Sequence, residues 1–233
     1  NKGILDYGKL RASYASTSGE PGQAYRTQIY YALQGNNYAG IPLGTYDLSL
    51  PNGLLKPFVL SEIELGTELR LFGSRLTVDV AWFTKKTKNE IMGATLSRSS
   101  GYGSGYVGSG STKNSGLELL ISGTIVKSKS FSWKSSFNLT KISSKVLQTT
   151  TDNTNINLGM GRETLGNLIT AYVVGLPGPQ ILGYDYKRNA SGSIVVDASG
   201  IPLRTDNLVN LGSALPTFYG GLNNEFTLNN NLS

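Results

Sequence analysis

Apolar and polar residues alternate one for one along two pairs of segments. Over residues 62–72, Ile63, Leu65, Thr67, Leu69 and Leu71 take one parity, and Glu62, Glu64, Gly66, Glu68 and Arg70 the other. Gly73 and Ser74 make a tight corner into residues 75–85, where Leu76, Val78, Val80 and Trp82 alternate with Thr77, Asp79 and Ala81 and the aromatic Phe83 follows. In the second pair, Leu117, Leu119, Ile121 and Ile125 oppose Glu118, Ser122 and Thr124 over 116–126, with Leu120 out of phase. Lys127, Ser128 and Lys129 lead into 130–140, where Phe131, Trp133, Phe137 and Leu139 alternate with Ser132, Lys134, Ser136, Asn138 and Thr140. A period of two puts successive side chains on opposite faces of a strand and argues against helix. Arms of roughly ten residues have the length of a strand crossing a bilayer at a tilt.

The rest of the chain sets these hairpins in order. Residues 5–15 read as a strand, with Leu10, Ala12 and Tyr14 facing away from Lys9, Arg11 and Ser13. Residues 16–60 lose the alternation and carry Tyr25, Tyr30, Tyr31, Tyr38 and Tyr46, too aromatic for a disordered linker. A segment at 91–96 precedes a Gly/Ser/Tyr loop at 97–112, and 143–215 is irregular apart from a small hairpin of 193–196 and 201–204 about Asp197-Ala198-Ser199-Gly200. Residues 217–228 return to strand, and Asn229-Asn230-Asn231 reads as a turn. Short connections at 73–74, 126–129 and 229–231 thus alternate with long ones at 16–60, 86–112 and 143–215, so all short turns share one rim. The predicted fold is all-β, an antiparallel transmembrane β-barrel segment with short periplasmic turns and long extracellular loops. Glu62, Glu64, Glu68, Arg70, Asp79, Glu118, Lys134 and Asn138 would face a wet lumen; Leu65, Leu69, Val78, Val80, Trp82, Leu119, Phe131 and Trp133 would face lipid. Alternation by itself also fits a secreted, soluble β-sandwich that binds glycan or protein, in which a second sheet would cover Leu65, Leu69, Val78 and Val80.

Composition narrows the chemistry. The 233 residues include no Cys and no His, which excludes disulfides, Cys/His metal centres and imidazole- or thiolate-based triads. No cofactor or metal is implied, and no catalytic residue is assigned. The 29 Gly and 13 Tyr suit turns and interfacial strands. No apolar run reaches the ~18 residues of a membrane-spanning helix. No leader precedes the first strand, so either it has been removed or the chain begins within a longer protein. The net charge of +6 is scattered along strands without a nucleic-acid-binding motif, so nucleic acid is not an expected partner.

Individual motifs add little. Gly103-Ser104-Gly105-Tyr106-Val107-Gly108 matches a dinucleotide-binding glycine pattern but lacks the preceding buried strand and following helix. Glu62, Glu64, Glu68 and Asp79 have spacings that paired catalytic carboxylates could use, yet Arg70, Arg75 and Lys85 stand near as ion-pair partners. Asp152-Asn153-Thr154-Asn155 lacks the downstream Glu of a calcium loop. Asn138-Leu139-Thr140 and Asn189-Ala190-Ser191 are glycosylation sequons of low specificity. Tyr30, Tyr31, Tyr38, Tyr102 and Tyr106 are the candidate loop contacts to a substrate or a covering partner, since aromatic faces pack on sugars and peptides.

The wording of the strands carries a resemblance. Leu5-Asp6-Tyr7-Gly8-Lys9-Leu10-Arg11-Ala12-Ser13-Tyr14, Leu55-Lys56-Pro57 and SEIELGTELRLFGSRLTVDVAWFTKKTKNEIM at 61–92 resemble the SusC/RagA-type TonB-dependent transporters of Bacteroidetes outer membranes. Asn114-Ser115-Gly116-Leu117-Glu118-Leu119, Phe131-Ser132-Trp133, Asn138, residues 192–203, Leu211-Gly212, Pro216 and Gly220-Gly221-Leu222-Asn223-Asn224-Glu225-Phe226 continue it in order. Phe58, where the family often has Glu, and Ser115, where a basic residue is usual, depart from it. The resemblance implies a 22-stranded barrel around an N-terminal plug, energised through TonB, covered by a SusD-like surface lipoprotein and importing oligosaccharides or peptides across a Gram-negative outer membrane. Plug, TonB box and final strands are not in these residues. All of 1–233 therefore reads as an interior piece of the barrel's later half, of about eight strands. A passive porin shares such a wall without plug or energy coupling.

Overall fold

Six long antiparallel strands form one sheet in the computed structural model, which describes residues 3–20, 26–46, 49–160 and 168–228. In chain order the elements are β1 (Leu5–Gly19), β2 (Tyr31–Tyr38), β3 (Ile41–Tyr46), β4 (Ser49–Leu50), β5 (Phe58–Leu71), β6 (Leu76–Thr95), a 3₁₀ turn (Arg98–Ser100), β7 (Ser104–Lys127), β8 (Phe131–Gln148), β9 (Ile156–Met160), β10 (Leu168–Tyr172), β11 (Gln180–Gly183), β12 (Val209–Ser213) and β13 (Phe218–Leu228). The main sheet runs β1-β5-β6-β7-β8-β13, with β4 adding a short parallel pairing to β7. β12-β11-β10-β9 make a second sheet, and β2 with β3 a separate hairpin.

Neighbouring long strands are joined alternately at two rims. At one rim residues 72–75 join β5 to β6, with Phe72, Gly73 and Ser74 all at positive φ (59°, 68° and 59°). That backbone is held from β1: the Ser74 N–H donates to an Asp6 carboxylate oxygen at 2.8 Å, and the Phe72 N–H to the Ile4 carbonyl at 2.9 Å. Residues 128–130 turn at the same rim, where the Ser128 hydroxyl accepts the Phe131 N–H at 3.0 Å. At the opposite rim, that of the long connections, β1 ends at Gly19 against the start of β5, β6 ends at Thr95 against the start of β7, and β8 ends and β13 begins.

The strands outrun the alternating segments. β1 extends to Gly19, and β8 to Gln148. β6 and β7 stay paired out to Thr95↔Ser104, so most of the loop expected at 86–112 is strand and only 96–103 connects. The glycine pattern at 103–108 accordingly lies mostly in β7. The expected loop 16–60 contains the end of β1, β2, β3, β4 and the start of β5; that at 143–215 contains the end of β8 and the second sheet. Period-two hydrophobicity marks a strand only where one face meets an apolar medium. Beyond that zone Gly, Ser, Thr and Lys dominate, and the ladder persists without the signal. Irregularities at Thr87/Glu90 and Glu90/Met92, with Asn89 at φ 55°, break the phase further. Six long strands are described, fewer than the eight expected. The expected turn at Asn229-Asn230-Asn231 and Tyr25 lie outside the described residues.

Packing is concentrated at the long-connection rim. Val146, Met92, Ile156, Ala171 and Leu182 are buried in the second sheet or in the ends of β6 and β8 beside it, whereas Ala81 and Phe83 are the buried apolar side chains of the wall's middle. The Val146 N–H donates to the Leu176 carbonyl at 2.9 Å, and the Gly175 N–H to the Val146 carbonyl at 2.8 Å. Gly178 backs so closely on Tyr172 and Val146 that a Cβ there would lie 2.6 and 2.7 Å from their side chains.

Candidate functional site

Cross-strand register converts each strand's alternation into rungs across the sheet. On one face these read Tyr7–Arg70–Thr77–Ser122–Ser136–Asn223, then Lys9–Glu68–Asp79–Leu120–Asn138–Gly221, then Arg11–Gly66–Ala81–Glu118–Thr140–Tyr219. On the other face they read Gly8–Leu69–Val78–Ile121–Phe137–Leu222, Leu10–Thr67–Val80–Leu119–Leu139–Gly220 and Ala12–Leu65–Trp82–Leu117–Lys141–Phe218. Glu62, Glu64, Glu68, Arg70, Asp79, Glu118, Lys134 and Asn138 thus share the polar face. Leu65, Leu69, Val78, Val80, Trp82, Leu119, Phe131 and Trp133 share the apolar one.

The polar face is a network of ion pairs. Arg11 Nη1 and Nη2 donate to the two Asp79 oxygens at 2.9 and 2.7 Å, and its Nε to Glu64 at 3.3 Å. Arg70 donates to Glu68 at 3.0 and 2.9 Å and lies over the Tyr7 ring, 5.0 Å from its centroid. Lys85 pairs with Glu62 at 3.1 Å and Lys134 with Glu225 at 3.2 Å. The carboxylates with catalytic spacing are therefore committed to cations. Two of the partners expected from sequence, Arg70 and Lys85, serve; Arg75 instead donates to the carbonyls of Thr124 and Ile125. Arg11 was missed. Its signal was Gly66, the one residue without a side chain on the charged parity of β5.

Glycine makes room twice on this face. Arg11 crosses Gly66, where a Cβ would stand 2.5 Å from Nε, and Phe83 lies across Gly116, where a Cβ would stand 2.5 Å from Cζ. Between these strands an open depression of about 410 Å³ is lined by Arg11, Asp79, Ala81, Glu118, Leu120, Asn138 and Thr140. Leu120, out of phase in the sequence, belongs to this polar face.

The apolar face is open. Leu65 is 49% exposed, Trp82 41% and Leu222 68%, and among the described residues no second sheet packs over Leu69, Val78 and Val80. Beside the 128–130 turn, Phe226 stacks on Trp133 at 5.7 Å and Phe131 at 6.3 Å between centroids, and Trp133 Nε1–H donates to Asn224 at 3.1 Å. Aromatic rings with one polar handle suit an apolar–aqueous boundary.

The five tyrosines occupy different settings. Tyr31 and Tyr38 are exposed on β2, and Tyr30, just before it, is half-buried. Tyr102 is half-buried in the β6–β7 connection. Tyr106 is in β7 rather than a loop; Arg26 sits 4.2 Å over its ring, and its carbonyl accepts from Asn52 at 2.9 Å. The small hairpin expected at 193–204 is present as isolated bridges, including Val196↔Pro202, around the turn closed by Gly200 N–H to the Asp197 carbonyl at 3.0 Å.

Comparison with known proteins agrees with this architecture. The family model described as "TonB dependent receptor-like, beta-barrel" matches residues 4–230. TonB-dependent receptor P26 of Formosa agariphila is 27% identical over 252 aligned positions, covering 95% of this chain and 24% of the relative. TonB-dependent receptor P39 of the same organism is 28% identical over 151 positions, covering 63% of this chain and 14% of the relative. The solved structure of the RagAB peptide transporter superposes with a TM-score of 0.77 at 21% identity, over 98% of this chain and 26% of that one. The chain thus spans about a quarter, or less, of the proteins it matches.

Proposed function

Because the chain belongs to the TonB-dependent receptor-like β-barrel family, we propose that it forms part of the barrel wall and outer loops of a TonB-energised importer in the outer membrane of a Gram-negative bacterium. The cargo is an oligosaccharide or a peptide, and a SusD-like surface lipoprotein covers the mouth. The observation that carries this reading is the sorting of the two faces: an uncovered apolar face for lipid, and an ion-paired polar face for a wet lumen around a plug. Unpaired edges are untenable in lipid, so strands outside residues 1–233 complete the wall beside β1 and β13. The 72–75 and 128–130 turns point to the periplasm. The long connections and the second sheet point outward, where Tyr30, Tyr31, Tyr38 and Tyr102 are available to cargo or lid, and a half-buried Tyr106 braces the loop base.

The likeness to a peptide transporter supports import of an oligomeric nutrient, and membership of the family supports TonB coupling. The test expresses the full-length protein in a host lacking its own importer and follows uptake of labelled oligopeptides and oligosaccharides with and without an uncoupler. Uptake that stops with the uncoupler is expected. Uptake indifferent to it would mean a passive pore, and no uptake of either class would overturn the assignment.

A further inference from the structure

Cations are sorted between the faces as sharply as apolar residues are. On the polar face Arg11, Arg70, Lys85 and Lys134 each hold a carboxylate. The apolar face has the opposite balance. Over β6, β7 and β8 it carries no Asp or Glu among the described residues, yet Lys86, Lys88, Lys113, Lys141 and Lys145 take its parity and all five are exposed. Glu90, nearest in sequence, accepts from the Thr112 hydroxyl at 3.1 Å and so belongs to the other face.

Three of these lysines are directly opposed. Lys113 pairs in register with Lys86 on one side and Lys145 on the other. With neighbouring strands ~4.8 Å apart, three ammonium groups fall within about 10 Å. Like charges directly opposite one another destabilise a sheet. None of the three has an ion-pair partner among the described residues, so the protein alone does not offset that cost. Their height is equally specific. Above the apolar rung Leu65–Trp82–Leu117 comes Thr84–Ser115–Ser143, and the next rung on that face is Lys86–Lys113–Lys145. Lys141, level with Leu117, has a stem long enough to lift its charge toward the same height.

We propose that Lys86, Lys113 and Lys145, flanked by Lys88 and Lys141, bind the phosphate groups of anionic lipid in the outer leaflet. The inference rests on the reading of the apolar face as lipid-facing. A lipid is the occupant because it brings acyl chains and phosphate in the order the wall presents apolar rungs and then lysines. An acidic protein would have to leave the adjoining apolar rungs uncovered or displace their lipid.

The experiment uses the full-length protein in nanodiscs and measures binding of lipid A with its phosphates, lipid A stripped by phosphatase, and inorganic phosphate. Wild type should prefer phosphorylated lipid A. The triple variant Lys86→Gln/Lys113→Gln/Lys145→Gln should lose on the order of 100-fold, roughly fivefold per lysine, while the triple Lys→Arg variant keeps binding. Equal binding of the two lipid A forms by wild type would overturn the proposal without any variant, as would a triple Gln variant that binds like wild type. Inorganic phosphate displacing the lipid at equal concentration would make this a free-anion site and overturn the lipid assignment. Failure of the wild type to enter a bilayer would instead remove the wall reading itself, a distinct result seen before any lipid is added.

Discussion

Arg11 and Asp79 lie on strands that are not neighbours, yet the guanidinium of one meets the carboxylate of the other through two hydrogen bonds of 2.9 and 2.7 Å. The path runs over β5 at Gly66, which pairs with Arg11 on one side and Ala81 on the other. Two small residues in one rung leave a trough in which the arginine lies flat, and Glu64 accepts from its Nε–H at 3.3 Å. Three strands are tied by one side chain, and the bidentate fork fixes its orientation as a lysine could not.

Gly66→Ala is expected to fold, because the group a new Cβ would meet is the mobile end of Arg11. It should nevertheless lift the guanidinium off Asp79. In a double-mutant cycle on the full-length protein, Gly66→Ala and Asp79→Asn together should cost little more than the larger alone, since both remove one contact. Additive losses of unfolding stability would show that Gly66 does not serve the Arg11–Asp79 pair.

Val78 occupies the middle of the apolar face, between Leu69 and Ile121. Val78→Arg should cost about 2–4 kcal/mol if that rung lies near the bilayer midplane. Ser122→Arg, on the polar face of the neighbouring strand, should cost far less. Reversible unfolding from lipid vesicles measures both, and equal costs would count against the sidedness proposed for the wall.

Phe226 joins Trp133 and Phe131 across the β8–β13 ladder. Removing Trp133 and Phe226 singly and together should reveal a coupling of about 0.5–1.5 kcal/mol beyond their buried area. A coupling near zero would make the two rings independent of each other rather than one cluster.

The wall was legible in the sequence to the extent that one of its faces is apolar. Leu65, Val78 and Phe137 have polar or small neighbours in sequence, so period two exposed their strands and fixed which residues share a face. The same logic hid the upper halves of β6 and β7. Around Lys86, Thr87, Lys88, Ser111, Thr112 and Lys113 both faces are polar, and no alternation distinguishes strand from loop. Arg11 was passed over for a different reason: its partner Asp79 lies 68 positions away in sequence, and only sheet order brings them together. The second sheet escaped because β9, β10, β11 and β12 are four or five residues long, too short for a period to register.

Tyr172 links that second sheet to the end of β6. Burial raises the pKa of its phenol above the ordinary value of 10.0, and the Glu90 carboxylate raises it further. Gly178 is packed against its ring, so the hydroxyl's surroundings depend on the sheet staying docked. Below pH 10 the phenol is neutral whether the sheet is docked or unfolded, and the stabilisation is fully present. As pH rises past that value the unfolded segment gives up its proton first, so it binds fewer protons than the docked one and stability falls until the raised folded value is passed. Protection of the amides of β9, β10 and β11 in the full-length protein, taken relative to the base-catalysed exchange of free amides, should therefore fall above pH 10, in step with phenolate absorbance, while the ladder between β5 and β6 stays protected. Tyr172→Phe should remove the alkaline step and leave protection at neutral pH nearly unchanged. A step of undiminished size in Tyr172→Phe would place the titrating group elsewhere.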